Sequence, residues 1–354
     1  MRIVGAGLLG ASIGHALTAG GVDVILHDAS KANLTLAIDY GAGRRARDTD
    51  QPTLVVVAVP PDVAADVVAV ELAAWPDAIV TDVASVKAVM LAELRDAGAD
   101  LSRYVGSHPL AGRERGGAIS ARADLFIGRP WVIAAHDATT TAQLRIIEDL
   151  VLELGAVPIR MTADEHDRSV ALISHVPQVV ATLLARRLSG ASEAAVALAG
   201  QGLRDTTRIA ASDPELWVQI LGANASPIVD ILRAYRDDLD QVLRSLDDLS
   251  APGARRAIAE ILAGGNAGVA RIPGKHGQAN QFSQLVIMVD DRPGELARLL
   301  TEIGEAGVNM EDLRLEHSPG AQIGLAEISV LPEVEQRLAD ELEARGWKIA
   351  GEFA

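Results

Sequence analysis

The chain has 354 residues, a formal net charge of −16 and no cysteine, and 49% of its residues are hydrophobic. This length predicts two or three domains, and the hydrophobic content excludes a disordered or fibrous chain. The absence of cysteine excludes disulfides, thiol nucleophiles and cysteine-ligated metal sites. The acidic balance argues against nonspecific nucleic-acid binding, and we find no uncharged apolar run of the roughly 18–20 residues that a membrane span needs. We therefore expect a soluble cytoplasmic protein.

Residues 1–161 alternate short apolar runs with helical patterns. The runs are rich in valine and isoleucine without strict polar alternation, which is typical of strands buried on both faces of a parallel sheet. We predict strands at residues 2–4, 22–26, 54–59, 78–83, 104–107 and 131–135, with helices between them, for example at 62–74 and 86–97. The alternation predicts a doubly wound, Rossmann-type α/β domain over residues 1–161.

The strand pattern stops at residue 162. Thr162 and Glu165 have the spacing of a capping box, and Ser212-Asp213-Pro214 is typical of a helix start. Leucine, isoleucine and valine then recur at helical spacing through residues 216–246. We predict an all-helical domain at residues 162–264, followed by a glycine-rich linker at residues 265–283.

Residues 284–354 predict a small α+β domain. Strand patterns at 284–289, 310–316, 324–331 and 348–352 alternate with helical patterns after residue 294 and at 333–345. The resulting order is typical of a ferredoxin-like fold. These residues include 15 acids and 6 bases, a net charge of −9. More than half of the chain's net charge therefore lies in this last part.

A glycine-rich turn follows the first predicted strand directly. Its G-x-G-x-x-G pattern allows close approach of a dinucleotide pyrophosphate to backbone N–H groups at a helix N-terminus. Asp28 lies 18 residues after the last glycine, where an acid binds ribose hydroxyls and repels the additional phosphate of NADP. The alternative is a plain glycine turn beside a surface aspartate, and His27 and Lys31 weaken the preference against NADP. We predict that NAD is bound by Gly5, Ala6, Gly7, Leu8, Leu9, Gly10, Asp28, Val59 and Pro60.

Polar residues follow two later strands of the predicted sheet, where ligands of such sheets bind. His108 is the candidate general base, because imidazole titrates near neutrality and a strand-end loop places it in the crevice. Ser85, one loop away, is placed to hold the tautomer of His108. Lys87 is one of only four lysines against 28 arginines. The alternative is a structural or solvated histidine, which position alone does not exclude.

The helical domain adds two histidines and an arginine. His166 and His175 are nine residues apart, about two and a half turns, and share one side only if the helix continues through Pro177. Their spacing is not that of a zinc-binding HExxH motif, so we assign no metal. Arg208 can bind a carboxylate with two hydrogen bonds. The spacing of Arg204 and Arg208 at i and i+4 alone favours a solvated Arg208 side chain or an ion pair with Asp205.

Several segments together resemble one enzyme family. They are GAGLLGASIG at 5–14, TDVASVK at 81–87, GSHPLAGRERGG at 106–117, DEHD at 164–167, ISHVPQ at 173–178 and GLRDTTRIAASDPELW at 202–217. In this order they resemble the bacterial prephenate/arogenate dehydrogenases of tyrosine biosynthesis. The segments IPGKHG and VDDRPGEL (289–296) resemble the version of this family with a C-terminal ACT domain. The resemblance covers nearly the whole chain.

This resemblance implies an NAD-dependent oxidative decarboxylation of a cyclohexadienol. His108 accepts the proton of the ring hydroxyl while hydride leaves the same carbon, CO₂ departs and the ring becomes aromatic. By the same resemblance Ser85 orients His108 and Arg208 binds the ring carboxylate. The other substrate-site residues that it implies are His166, His175, Lys87 and Glu114, the last as a gate near Arg208. Gln201 stands where some relatives have a glycine run, so the choice between prephenate and arogenate stays open, and we favour prephenate.

The ACT-like part implies feedback control, with tyrosine as the natural effector. Asp291 and Gly294 lie at a strand–helix turn and Asn309 follows a helix end, where ACT domains bind an amino acid at a domain interface. The alternative is an oligomerisation module without a ligand. By family likeness the helical domain forms a homodimer. Competing functions are arogenate dehydrogenase, a hydroxyacid or imine reductase on a similar scaffold, and a non-catalytic amino-acid sensor. The intact glycine turn and His108 argue against the sensor.

Overall fold

The structure, a computed structural model, describes residues 1–112, 116–272, 282–317 and 323–350. The chain divides into two compact units, Met1–Ser192 with Thr206–Tyr235, and Glu193–Asp205 with Arg236–Ala354.

Strands and helices alternate through the first part of the chain, as predicted. In order, the elements are β1 (Arg2–Val4), α1 (Leu8–Ala19), β2 (Ile25–His27), α2 (Lys31–Asp39), β3 (Arg44–Arg45), β4 (Leu54–Val57), α3 (Pro61–Ala74), β5 (Ile79–Asp82), α4 (Ala88–Asp96), β6 (Tyr104–Pro109), β7 (Pro130–Ala135), α5 (Thr141–Glu153) and β8 (Val157–Thr162).

All eight strands form one sheet, in the order β3-β2-β1-β4-β5-β6-β7-β8. The strands from β3 to β6 pair in parallel, whereas β7 is antiparallel to β6 and parallel to β8. The order of the first six strands is that of a Rossmann fold, which confirms the predicted α/β class. In this fold ligands bind beyond the carboxyl ends of the strands, where the strand order reverses, here between β1 and β4.

Alternate residues of β4 pack on opposite faces of this sheet. Val56 belongs to a buried cluster with Ile3 and Ile133, whereas Val55 and Val57 belong to a second cluster with residues of α3 and α4. Burial of one such aliphatic side chain contributes about 1.5–3 kcal/mol. The continuous valine run of this strand therefore fits a sheet covered by helices on both faces.

Two strands of the sheet were not predicted. The strand β3 has only two residues, and β8 has no buried residue and leaves Val157 50% exposed. Neither strand has the buried apolar run on which the sequence prediction depended. The predicted strand at 22–26 is also displaced, because the observed β2 ends at His27.

Helices follow β8 without another strand up to residue 264, as the sequence predicted. They are α6 (Ala163–Val170), a π-helical turn (Ala171–His175), α7 (Val176–Leu188), α8 (Glu193–Ala197), α9 (Gln201–Thr207), α10 (Pro214–Ala223), α11 (Ala225–Asp247) and α12 (Ala254–Val269). The predicted capping box of Thr162 and Glu165 is formed, and Asp213 caps α10. The helix α12 enters the segment 265–283, which was predicted as linker, because its glycines did not end the helix. The rest of that segment lies largely outside the described residues.

One helical stretch of the described chain, Ala163–Leu188, is long and apolar enough to cross a membrane by length and composition alone. No such stretch was expected from the sequence. The same stretch includes the buried polar residues His166, Asp167 and His175. Core helices of soluble proteins satisfy the same criterion, so the observation is weak evidence for a membrane span.

The last part of the chain forms a four-stranded antiparallel sheet with two helices. Its elements are β9 (Ser283–Asp290), α13 (Glu295–Glu305), β10 (Asp312–His317), β11 (Ile323–Val330), α14 (Pro332–Ala344) and β12 (Lys348–Ala350). The sheet order is β10-β11-β9-β12, and both helices contribute to one core with Ile287 and Ile328. This topology is that of the ferredoxin-like α+β fold.

Candidate active site

The glycine turn after β1 is held by close backbone contacts. Gly5 has a φ of +100°, and a side chain there would lie 2.3 Å from the carbonyl oxygen of Ala58. A Cβ atom on Gly10 would lie 1.9 Å from the carbonyl oxygen of Gly5. These two glycines are therefore required by the fold of the turn itself, which brings β1, α1 and the end of β4 together.

Gly7 has a different environment. It is the N-cap of α1 and makes no side-chain capping hydrogen bond, and a Cβ atom there would meet nothing within 4 Å. The first N–H groups of α1 are thus available to an anion, and the space over Gly7 suits a pyrophosphate. The neighbouring Leu8, Leu9 and Val59 are half-buried, and Pro60 is exposed.

Asp28 directly follows the last residue of β2, His27, and lies two residues beyond the predicted strand end. Its carboxylate accepts hydrogen bonds from the backbone N–H groups of Ala6 and Ser30, both at 2.7 Å. A carboxylate has about four acceptor positions, so both oxygens can still accept from ribose hydroxyls. Asp28 thus fixes the glycine turn and presents an acid beside it, as the predicted NAD site requires.

A chain of three side chains forms the second half of the site. His108 lies in β6, which extends to Pro109 and includes the residue predicted to lie in a loop. Its Nδ1 atom is 2.8 Å from Nε2 of His166, whose Nδ1 atom is 2.7 Å from Oδ1 of Asp167. His166 is fully buried and Asp167 is 5% exposed. No sequence pattern predicts this contact across 58 residues.

Asp167 also joins the α4 N-terminus to the helical region. Its two carboxylate oxygens accept hydrogen bonds from the backbone N–H groups of Lys87 and Ala88, each at 2.8 Å. The amide of Asn224 donates to the carbonyl oxygen of Asp167 at 2.8 Å and lies 3.0 Å from Nδ1 of His175. Asp167 and Asn224 were not predicted as site residues, although Asp167 belongs to the DEHD segment.

Burial and neighbouring charges keep His108, His166 and the nearby His175 neutral. Burial lowers the pKa of His108 well below its ordinary value, and His166, Lys87 and His175 act in the same direction. Burial also lowers the pKa of His166, although Asp167 opposes this, and it lowers the pKa of His175 to about 4. A neutral imidazole is the form that accepts a proton, so His108 suits a general base at neutral pH.

Asp167 itself is ionised. Burial acts to raise the pKa of its carboxyl, but the hydrogen bonds from His166 and from the N–H groups of Ala88 and Lys87 outweigh burial and lower the pKa. An anion therefore lies at the inner end of the cluster, away from the half-buried His108.

Lys87 is not placed as the predicted substrate ligand. Its side chain is 1% exposed, and its ammonium forms an ion pair with Asp82, which is fully buried. Asp82 also accepts a hydrogen bond from the Tyr104 hydroxyl at 2.7 Å. Lys87 therefore acts on the site as a buried charge that lowers the pKa of His108.

The structure differs from the predicted role of Ser85 as well. Ser85 is half-buried three residues after β5. Within the described residues it forms no hydrogen bond with His108, and the partner of the His108 Nδ1 atom is His166. The residue that fixes the orientation of His108 in this structure thus comes from α6.

A π-helical turn lies between His166 and His175. The helix is continuous through Pro177, but the expectation that continuity puts both side chains on one side was wrong, because nine residues of a regular α-helix place them on opposite sides. The i→i+5 turn winds less per residue and reduces that angle. His175 also packs edge-on against Trp217, with ring centroids 6.0 Å apart. Single π-turns of this kind occur frequently at functional sites.

The other predicted substrate residues are Arg208, Gln201 and Glu114. Arg208 is exposed and begins a short 3₁₀ turn that packs against α7. The amide of Gln201 donates to Asp205 of the same helix at 2.8 Å. Glu114 lies outside the described residues. In the described ranges, no group of three or more histidine or acidic side chains is arranged to hold a metal ion.

A Rossmann-type sheet, a glycine turn at its first helix and a neutral histidine on a later strand of the same sheet define a dinucleotide-binding oxidoreductase. Comparison with known families agrees with this class. The family model described as prephenate dehydrogenase, nucleotide-binding domain, matches residues 13–160, and the one described as prephenate dehydrogenase, dimerization domain, matches residues 162–260. The chain belongs to the prephenate dehydrogenase family.

Individual relatives extend this result. The chain is 37% identical over 355 residues to the probable prephenate dehydrogenase NovF of Streptomyces niveus, covering 98% of each chain. It is 27% identical to the solved arogenate dehydrogenase of Synechocystis, which has a TM-score of 0.62 and covers 75% of this chain and 99% of that one. The fold is also shared with prephenate dehydrogenase from A. aeolicus, solved with hydroxyphenyl propionate and NAD⁺ (TM-score 0.65, 23% identity, 75% and 96% covered).

Proposed function

We propose that this protein is an NAD-dependent prephenate dehydrogenase, which converts prephenate to 4-hydroxyphenylpyruvate, CO₂ and NADH. The observation that carries the proposal is the neutral His108 on β6, in the same sheet as the glycine turn after β1. His108 and the glycine turn both lie at carboxyl ends of strands, on the ligand-binding edge of the sheet. Membership of the prephenate dehydrogenase family supports the choice of reaction.

In this proposal His108 carries the proton chemistry. It takes the proton of the ring hydroxyl while the C–H electron pair leaves the same carbon as hydride, so a carbonyl forms there. The bond to the ring carboxylate then breaks, its electron pair enters the ring, and CO₂ leaves. The proton returns from His108 to the new phenol oxygen, so no external acid or base is needed. When bound, NAD supplies the hydride acceptor.

We propose Arg208 as the ligand of the ring carboxylate, because a guanidinium binds a carboxylate with two parallel hydrogen bonds. Its side chain is exposed on the turn beside α7, the helix that continues from the π-turn of His175. Ser85 remains our proposal for a contact with the substrate hydroxyl and the nicotinamide, since it follows the carboxyl end of β5. Glu114 remains a proposed gate, and His175 a proposed pocket residue.

The choice of NAD over NADP depends on Asp28. Its carboxylate is already held by two backbone N–H groups beside the glycine turn, so it cannot turn away from an added phosphate without breaking them. The choice of prephenate over arogenate depends on the substrate side chain, for which Gln201 is the proposed determinant. Arogenate is the alternative substrate, because a solved relative at 27% identity is named for it.

Initial rates with each substrate and each cofactor test this proposal directly. We expect NADH formation from prephenate and NAD⁺ to exceed the rates of the other three combinations. Faster NADPH formation from arogenate would contradict both choices. A matched Asp28→Asn variant should retain its fold and lose part of its preference for NAD⁺.

We also propose that the last domain is an ACT domain that binds tyrosine and inhibits the enzyme. Supporting this proposal, the turn with Asp291 and Gly294 precedes α13, and the exposed Asn309 lies four residues after that helix ends. Gly294 has a φ of +94° and is the N-cap of that helix. We expect tyrosine to inhibit the wild-type enzyme. In Asp291→Ala we expect this inhibition to be lost, whereas the activity without tyrosine should be unchanged. A wild-type enzyme insensitive to tyrosine would contradict this proposal.

A homodimer formed through the helical domain, in the cytoplasm, completes the proposal. The matched family model is described as a dimerization domain. Tyr235, Leu239, Leu243 and Leu246 are each 46–56% exposed along α11 at helical spacing. Such a stripe suits a contact between copies. Light scattering should give twice the monomer mass, and Leu243→Glu should lower that mass.

A further inference from the structure

The three-membered cluster on β6 and α6 has a fixed order of hydrogen bonds. Asp167 is ionised and only accepts, so the Nδ1 atom of His166 must carry a hydrogen and donate it. A neutral His166 then has an unprotonated Nε2 atom, which accepts from the Nδ1 atom of His108. The remaining Nε2 atom of neutral His108 has no hydrogen. One anion thus determines the tautomer of a histidine two side chains away.

We propose that Asp167 and His166 form a positioning relay that holds His108 in the Nδ1–H tautomer, with its basic Nε2 atom presented to the substrate. The proposal rests on the proposed function only in naming the proton donor, a secondary ring hydroxyl. It gives His166 a role different from the substrate contact that the family resemblance implies. Asp167 acts through His166 and not on the substrate.

The surroundings of Asp167 support a positioning role. Its oxygens are fixed by the N–H groups of Lys87 and Ala88 at the start of α4, and its carbonyl oxygen is fixed by Asn224. The carboxylate therefore has no freedom to rotate away from His166. A fixed acceptor is required because a mobile one would not select between the two tautomers of His166.

The same relay stabilises His108 after it takes a proton. The imidazolium keeps its Nδ1–H bond to His166, and the charge of Asp167 offsets the new positive charge. The charged groups around the cluster are the buried Lys87–Asp82 pair, and the nearby titratable group is the neutral His175 from the far side of the π-turn. Lys87 opposes protonation of His108 and Asp167 favours it, so the base is weak at rest and still able to accept a proton in the reaction.

The tautomer can be measured in the wild-type protein without any variant. We would label the full-length chain with ¹⁵N-histidine and identify the His108 signals by their absence in His108→Asn. At neutral pH we expect a protonated Nδ1 and an unprotonated Nε2 for His108, and the same tautomer for His166. A protonated Nε2 on His108 would overturn the proposal. Because this readout needs no substrate, it stands or falls separately from the proposed reaction.

Asp167→Asn tests the relay kinetically. An asparagine amide donates to the Nδ1 atom of His166, which reverses both tautomers and places a hydrogen on the Nε2 atom of His108. We expect kcat to fall at least ~100-fold with little change in substrate KM, and the ¹⁵N spectrum of His108 to show Nε2–H. The matched control is Asp164→Asn, which removes an exposed charge from the same helix and should retain wild-type kinetics and tautomer.

A second variant covers the case in which Asp167→Asn does not fold, since Asp167 also caps α4. His166→Phe keeps an aromatic ring and removes both relay nitrogens. We expect a similar loss of kcat with an unchanged KM. A large increase in KM with an unchanged kcat would show instead that His166 binds substrate, and would overturn the relay. Inactivity of the wild type with prephenate, together with the expected tautomer, would contradict the proposed function alone.

Discussion

The glycine turn and the histidine cluster lie at the same edge of one sheet but are built differently. The turn uses backbone atoms of residues 5–10, and a single side chain, Asp28, fixes it. The cluster uses buried side chains from β6 and α6, together with backbone N–H groups of α4 and the amide of Asn224. One site therefore depends on the absence of side chains, and the other on polar side chains that are individually expensive to bury.

This difference separates binding from chemistry. A defect in the turn is expected to change cofactor affinity and folding, because the turn only shapes a surface for phosphate. A defect in the cluster is expected to change turnover, because the cluster determines where a proton can go. Variants in the turn should consequently change the Kd of NAD⁺, and variants in the cluster should change kcat. A variant that changes both quantities would weaken the comparison.

The largest effect is expected for His108→Asn. Loss of a general base typically costs about 10²–10⁴ in rate, so kcat should fall within that range while the Kd of NAD⁺ stays unchanged. Steady-state NADH formation and calorimetric titration of NAD⁺ measure the two quantities. His15→Asn, on α1 and outside the cluster, is the control. Normal turnover of His108→Asn would remove this residue from its role.

Two substitutions in the glycine turn test its expected effects on cofactor binding and on folding. Gly10→Ala forces a methyl group to 1.9 Å from a carbonyl oxygen and should destabilise the fold by ~1–3 kcal/mol as well as weaken NAD⁺ binding. Gly7→Ala meets no protein atom within 4 Å, so its unfolding free energy should stay within about 0.5 kcal/mol of wild type. Its Kd for NAD⁺ should nevertheless rise about tenfold, because the methyl group enters the pyrophosphate space. An unchanged Kd in Gly7→Ala would place the phosphates elsewhere.

Arg208→Ala should act on substrate binding only. Loss of a charge-assisted pair costs about 1.5–3 kcal/mol, which corresponds to a rise in substrate KM of roughly 10- to 150-fold. The Kd of NAD⁺ should not change. Arg204→Ala, one helical turn earlier, is the matched control and should stay near wild type. If KM were equal in both variants, the carboxylate ligand would lie at another residue.

The smallest effect concerns stability against pH. The unfolded chain protonates His175 near its ordinary pKa of 6.5, whereas the folded protein does so at about 4. The unfolded state therefore binds more protons between these values, and the free energy of unfolding falls as the pH falls from 6.5 to about 4. Burial lowers the pKa of His108 and His166 as well, which adds to the same trend. Urea denaturation at several pH values should show this slope, and His175→Gln should reduce it.

The two regions also differ in how far the sequence predicts them. The glycine turn and Asp28 are close in the chain, so a pattern and a spacing identify them. His108 was found because it follows a predicted strand within a recognisable segment. Its partner His166 lies 58 residues away, and no local pattern shows that a side chain of α6 reaches β6. Lys87 was predicted in the pocket from its segment, but only the structure shows its ammonium turned to Asp82. The π-turn between His166 and His175 likewise has no simple sequence signal.

The measurement that tests the central claim most directly is product analysis of the wild-type enzyme with prephenate and NAD⁺. We predict that NADH, CO₂ and 4-hydroxyphenylpyruvate form in equal amounts, and that their formation is lost in His108→Asn under conditions where NAD⁺ still binds. A wild-type protein that binds NAD⁺ but forms no NADH from prephenate would contradict the account.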